Sequence, residues 1–182
     1  MSESKQANEY QLKDVRIVNL PPSKVVSIQY YCEEPEYRAK EEMDKFVRES
    51  GLLKTKPDLR YYGFNNPNCS ADTKEGMPDH GYEIWVTIPR NFAVPEYYKI
   101  KEFPGGLYAA HMIKMGNFHE WDWLVQWVEN SDKYAANLGD PASMGGMLEE
   151  YLNYYNSVQD INLNEEDVQL DLLIPIIKKV QG

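Results

Sequence analysis

The chain has 182 residues, 42% of them hydrophobic, enough for one ample core and ordinary for a globular protein. Its 19 lysines and arginines stand against 29 aspartates and glutamates, and the resulting net charge of −10 repels nucleic-acid phosphates instead of displacing their counterions. No apolar run is long enough to span a bilayer and residues 1–13 lack a signal-peptide core, so the expectation is a cytoplasmic protein that meets neither nucleic acid nor membrane.

Residues 1–13 read as a flexible leader and 14–180 as one domain. Val15 to Leu20 and Lys24 to Tyr31 are strand-like, interrupted at Pro21-Pro22, where prolines cannot donate to a ladder. From Glu36 to Ser50 the residues Tyr37, Met43, Phe46 and Val47 recur at near-helical spacing, and Gly51 offers a C-terminal stop. Leu59 to Phe64 is a further strand, and Asn68 to Asp79 a polar loop. In the strand Gly81–Pro89, alternation sends Tyr82, Ile84, Val86 and Ile88 towards the helix and Glu83, Trp85 and Thr87 to the opposite side.

The same order then begins again. A strand from Tyr98 to Lys114 is broken at Pro104-Gly105-Gly106, where a bulge is expected. A helix follows over 118–131, with Phe118, Trp121, Leu124, Val125 and Val128 on one stripe flanked by Trp123 and Trp127. Met147 to Asn153 and Val168 to Ile176 complete the series, separated by a polar segment over 154–167 that reads as an insertion, lid or loop. Pro21-Pro22 answers Pro104-Gly105, Pro89 answers Pro175 and Asn66 answers Asn153, at displacements of 83, 86 and 87 positions. Such near-constancy marks an internal duplication, with repeats of about 14–92 and 96–178. The fold class expected is α+β: two strand–helix–strand–strand units related by a pseudo-twofold axis, an antiparallel sheet with helices on one face and a ligand cleft on the other.

Cys32 and Cys69 show no metal or redox spacing, and His80, His111 and His119 lack metal-ligand spacing, so no cofactor or metal is expected and the thiols read as free. His111 reads as a packed or hydrogen-bonded strand residue. The chemistry concentrates at Met147–Asn153, where alternation places Glu149 and Tyr151 on one side and Leu148, Glu150 and Leu152 on the other. A carboxylate beside a ring suits a cationic or amphipathic guest.

Phe103-Pro104-Gly105-Gly106-Leu107-Tyr108-Ala109, Tyr82 to Pro89, Leu148 to Asn153 and Leu172 to Ile176 together resemble the GyrI-like (gyrase-inhibitor-like) effector-binding family over about residues 15–178. The resemblance implies a duplicated fold with a central aromatic cleft, in which the matching glutamate, Glu149, meets cationic aromatic compounds. Through the duplication it makes Tyr62 and Phe64 counterparts on the first half's second strand. It also aligns Trp85 with Asp171 and Thr87 with Leu173, the last standing where family members often carry a tyrosine. The candidate ligand-binding set is Glu149, Tyr151, Trp85, Tyr62, Phe64, Glu83, Leu173 and Tyr108. Three functions follow from the resemblance: a stand-alone binder of amphipathic, cationic or planar aromatic molecules; a detoxifying hydrolase of cyclopropane-bearing DNA-alkylating natural products with Glu149 as acid–base residue; and a protein-interaction module with a protein partner.

Overall fold

The structure, a computed structural model, describes residues 12–69, 80–160 and 163–180. The expected leader lies outside the described residues except for positions 12 and 13, where Leu12 is buried in the core. Positions 70–79 of the expected polar loop also lie outside them. In chain order come β1 (Arg16–Leu20), β2 (Ser23–Tyr30), α1 (Pro35–Glu49), the single turn α2 (Leu52–Thr55), β3 (Tyr61–Asn65) and β4 (Tyr82–Ile88). The second series is β5 (Lys99–Phe103), β6 (Gly106–Lys114), α3 (Glu120–Glu129), the short β7 (Tyr134–Ala136), β8 (Leu148–Tyr151), α4 (Tyr154–Ser157) and β9 (Gln169–Lys178).

One antiparallel sheet holds them in the order β1-β6-β9-β8-β3-β4-β2-β5, with β7 pairing along β9. Exchanging the two series, β1 with β5, β2 with β6, β3 with β8 and β4 with β9, reverses this order onto itself. The expected duplicated α+β architecture is therefore present in the topology. The first strand of each series crosses to the sheet half of the other: β1 pairs with β6 and β5 with β2. Each crossing turns a corner at its proline. Gly105, at φ +67°, sits where a Cβ would lie 2.3 Å from the Leu20 carbonyl oxygen, so the two corners press against each other and only glycine fits.

Pro35 occupies the first turn of α1, where its missing N–H is no loss, and Ala39, Met43, Phe46 and Val47 form the buried stripe. Tyr37 is not in that stripe; it is 60% exposed, and Ala39 takes the place expected of it. In α3 the buried positions are Leu124 and Val128, with Phe118 lying exposed ahead of the helix. Both helices pack on one sheet face, α1 on β2 and β4 and α3 on β6 and β9. Ile84, Val86, Leu170, Leu172 and Ile174 meet them there. The opposite face carries a smaller core of its own, in which Tyr62, Phe64, Phe103, Tyr108, Leu148 and Leu173 gather with Trp85. The 154–167 segment is not featureless: Tyr154 is buried and its hydroxyl donates to Asp44 of α1.

Candidate functional site

The centre of the sheet is the seam between β3 and β8, where Tyr62 is paired with Glu150 and Gly63 with Glu149. Directly opposite residues share a face, so this register sends Glu149 towards the helices and Glu150 away from them. Over Glu149, between α1 and α3, lies a cavity of about 630 Å³. Its floor is Tyr61, Tyr82, Tyr151 and Leu170 around the Glu149 carboxylate. Glu36, Tyr37 and Lys40 of α1 wall one side, and Phe118 and Trp121 the other.

Glu149 Oε2 accepts a hydrogen bond from the Tyr82 hydroxyl at 2.8 Å, and the Trp121 indole is the second donor. Among the described residues no cation pairs with it. Lys40 is held by Asp44 at 2.6 Å, and His80 by Glu36 at 2.6 Å. Burial accordingly pushes the Glu149 pKa above the ordinary carboxylate value; the two neutral donors pull it back and the charge of Glu36 adds to the rise. Burial and the adjacent Glu149 hold the Tyr82 phenol well above its usual range, which keeps it a donor.

Every buried carboxylate on the other face is treated differently. Glu83, fully buried, accepts from Lys101 at 2.5 Å, Ser27 at 2.6 Å, Asn66 at 2.6 Å and the Trp85 indole. Glu150 takes both arms of Arg60 at 2.6 Å each, and Asp171 is paired with Arg16. Burial works to raise Glu83, but its four donors together hold it below the usual carboxylate range.

The structure thus divides the candidate set. Glu149 and Tyr151 line the cavity; Trp85, Tyr62, Phe64, Glu83, Leu173 and Tyr108 lie on the opposite face, in its small core and ion-paired network. The cavity itself is on the helix-bearing face. The placing of Tyr62 and Phe64 beside Glu149 is corrected by one residue. That placing depends on Asn66 and Asn153, which lie beyond the strand ends, whereas the seam centres on the Tyr62–Glu150 pair, making Tyr61 the counterpart of Glu149. A one-residue slip sends every side chain to the other face. The register agrees with the alignment of Trp85 with Asp171 and Thr87 with Leu173: Trp85 and Asp171 flank the Tyr62–Glu150 pair in one cross-strand row, and Thr87 and Leu173 follow two residues on along the same face. Sequence reasoning missed Tyr61, Tyr82 and Trp121 as lining residues. Alternation along β4 does assign Tyr82 to the helix side, so the available signal was that a tyrosine hydroxyl and a tryptophan N–H on that side need a partner.

His111 Nε2 lies 2.5 Å from Glu120 of α3, a strand-to-helix tie. Cys32 and Cys69 are free thiols. Among the described residues no group of histidines, cysteines and acids is spaced to hold a metal, and no helix is long and apolar enough to cross a membrane.

The duplicated curled sheet with two helices on one face is the GyrI-like fold, and a carboxylate-floored cavity lies between those helices. The chain belongs to the integron-associated effector binding protein family, whose profile matches residues 16–176. Among solved structures it is similar to an uncharacterized conserved protein from Listeria innocua, at 13% identity and TM-score 0.59 over 92% of this chain and 94% of that one. It is similar also to the EcmrR C-terminal domain, at 13% identity and TM-score 0.60 over 93% and 100%. A hydrolase from Listeria innocua matches at 11% identity and TM-score 0.58 over 92% and 94%. At such identities the likeness speaks for the fold. No curated protein sequence matches the chain.

Proposed function

We propose that the chain captures amphipathic cations with a planar aromatic body in the cavity between α1 and α3, and that Glu149 supplies the counter-charge. The observation that carries this reading is a carboxylate at the floor of an aromatic cavity whose bonded partners are both neutral. A cation entering there completes an ion pair out of water, and Tyr61, Tyr82, Tyr151 and Trp121 offer π faces worth about 0.5–2 kcal/mol. Membership of an effector-binding family supports it.

The test uses 2-naphthyltrimethylammonium and its uncharged isostere 2-tert-butylnaphthalene. Glu149→Gln keeps volume and removes charge, so by calorimetry the cation should lose roughly 1–3 kcal/mol of affinity and the isostere almost none. Equal losses for both probes, or none for either, would sink the assignment of Glu149.

The raised pKa of Glu149 favours one further reading: a carboxylic acid that keeps its proton can donate it to a substrate, as a hydrolase of cyclopropane-bearing alkylating compounds requires. In that case Glu149→Gln leaves binding of such a compound nearly intact and abolishes the mass change of hydrolysis.

A further inference from the structure

Gly63 stands in the middle of β3, a central strand of the sheet. Glycine there weakens a strand, because it loses the most conformational freedom on folding and brings nothing to pack. Its backbone does not need glycine: Gly63 is not among the residues with positive φ. The reason lies above it. A Cβ at Gly63 would meet the Tyr82 hydroxyl oxygen at 2.2 Å and its ring carbon Cζ at 2.8 Å. Tyr82 is paired with Asn65 on β3, and its ring runs along that strand, over Gly63, to reach Glu149, which is the cross-strand partner of Gly63.

We propose that Gly63 and Tyr82 are a positioning pair for Glu149: the missing side chain opens a track across β3, and the phenol lying in it holds the carboxylate towards the cavity. This inference rests on the proposed role of Glu149 but concerns what prepares that residue before any ligand arrives. A hydrogen bond to the charged form stabilises it. Tyr82 therefore opposes the burial that would protonate Glu149, and the site stands closer to ready for a cation. The other titratable or charged groups lining this cavity are Tyr61 of β3, Tyr151 of β8, Glu36, Tyr37 and Lys40 of α1, and His80.

The experiment is a carbon-13 NMR titration of the Glu149 side-chain carboxyl in the ligand-free protein, its resonance identified by its loss in Glu149→Gln. Tyr82→Phe should move the midpoint upward. Gly63→Ala, which pushes the phenol aside, should move it in the same direction. The double variant should move it no further than Tyr82→Phe alone, because both changes break one contact. With 2-naphthyltrimethylammonium, the acid limb of the affinity–pH curve should slide alkaline by the same interval, about threefold weaker binding at a given pH for each half unit. An unmoved midpoint in Tyr82→Phe overturns the proposal, as does strict additivity in the double variant. Should Gly63→Ala not fold, Tyr82→Phe decides the question alone. A shifted midpoint in a protein that binds neither naphthyl probe upholds the pair and defeats the ligand reading instead.

Discussion

Glu149 and Glu150 are neighbours on β8 and burial raises the pKa of both, yet the two faces of the sheet give them different partners. Glu150 is gripped by both arms of Arg60 at 2.6 Å, beside it Asp171 has Arg16, and further along the same face Glu83 has Lys101. Glu149 meets a phenol and an indole. On one face charge is neutralised within the protein and contributes to holding the curled sheet together. On the other a carboxylate is kept from every described lysine and arginine, although Lys40 lines the same cavity, where it is bonded to Asp44. A buried carboxylate with only neutral partners is costly to fold. Its presence beside an open volume is a structural reason to look for a ligand there.

The comparison breaks most readily at Glu83. Glu83→Ala strands the Lys101 ammonium, the Asn66 amide, the Ser27 hydroxyl and the Trp85 indole at once. Because Lys101 is 38% exposed and can turn to water, the expected cost is roughly 2–4 kcal/mol and not the full penalty of a stranded buried charge. Urea unfolding at neutral pH measures it. The parent's contribution has a definite sign: with its folded pKa lowered, Glu83 stabilises the protein above its unfolded value and loses that effect as pH falls through the folded one. A cost near zero would mean that the paired face is not what holds the sheet.

Much of this contrast is legible in the sequence. The alternation in Tyr82 to Ile88 assigns both faces of β4 correctly, and the proline corners and the repeated strand–helix–strand–strand order forecast the sheet's duplication. The pattern around Glu149 singles it out, and it lies at the cavity floor. What fails is register across the seam. Sequence landmarks outside strands, such as Asn66 and Asn153, carry no information on pleat parity, and β3 and β8 share only two paired positions. The location of the cavity fails for another reason. Amphipathic helices are expected to fill the face they cover, and nothing local announces that the bulk of Tyr37 and Phe118 is spent on cavity walls instead of the core.

Glu149→Gln gives the next largest effect, opposite in sign to that at Glu83. Its folded pKa is raised, so the parent's stability is greatest below the unfolded carboxylate value and is lost as pH rises through the folded one. Glutamine carries no such loss and keeps one acceptor oxygen for these donors. The variant should therefore be more stable than the parent by about 1 kcal/mol above the folded pKa, with the gap closing in acid. Thermal unfolding across a pH series reads this directly. A variant less stable than the parent at neutral pH would show that Glu149 has a compensating partner, and the contrast with Glu150 would fail.

The finest test matches two tryptophans. Trp85 and Trp121 each donate an indole N–H to a glutamate, one on each face. Replacing either by phenylalanine removes that donor and a little packing, so each change should cost only about 0.5–1.5 kcal/mol. Their electrostatic consequences should differ. Glu83 without Trp85 still has Lys101, Ser27 and Asn66, whereas Glu149 without Trp121 has Tyr82. Carboxyl titration by NMR should accordingly show both midpoints moving upward, with Glu149 moving further than Glu83 because each remaining donor carries a larger share of the opposition to burial. Equal movement would mean that the number and charge of the remaining donors do not set how these two carboxylates ionise, and that burial alone separates them.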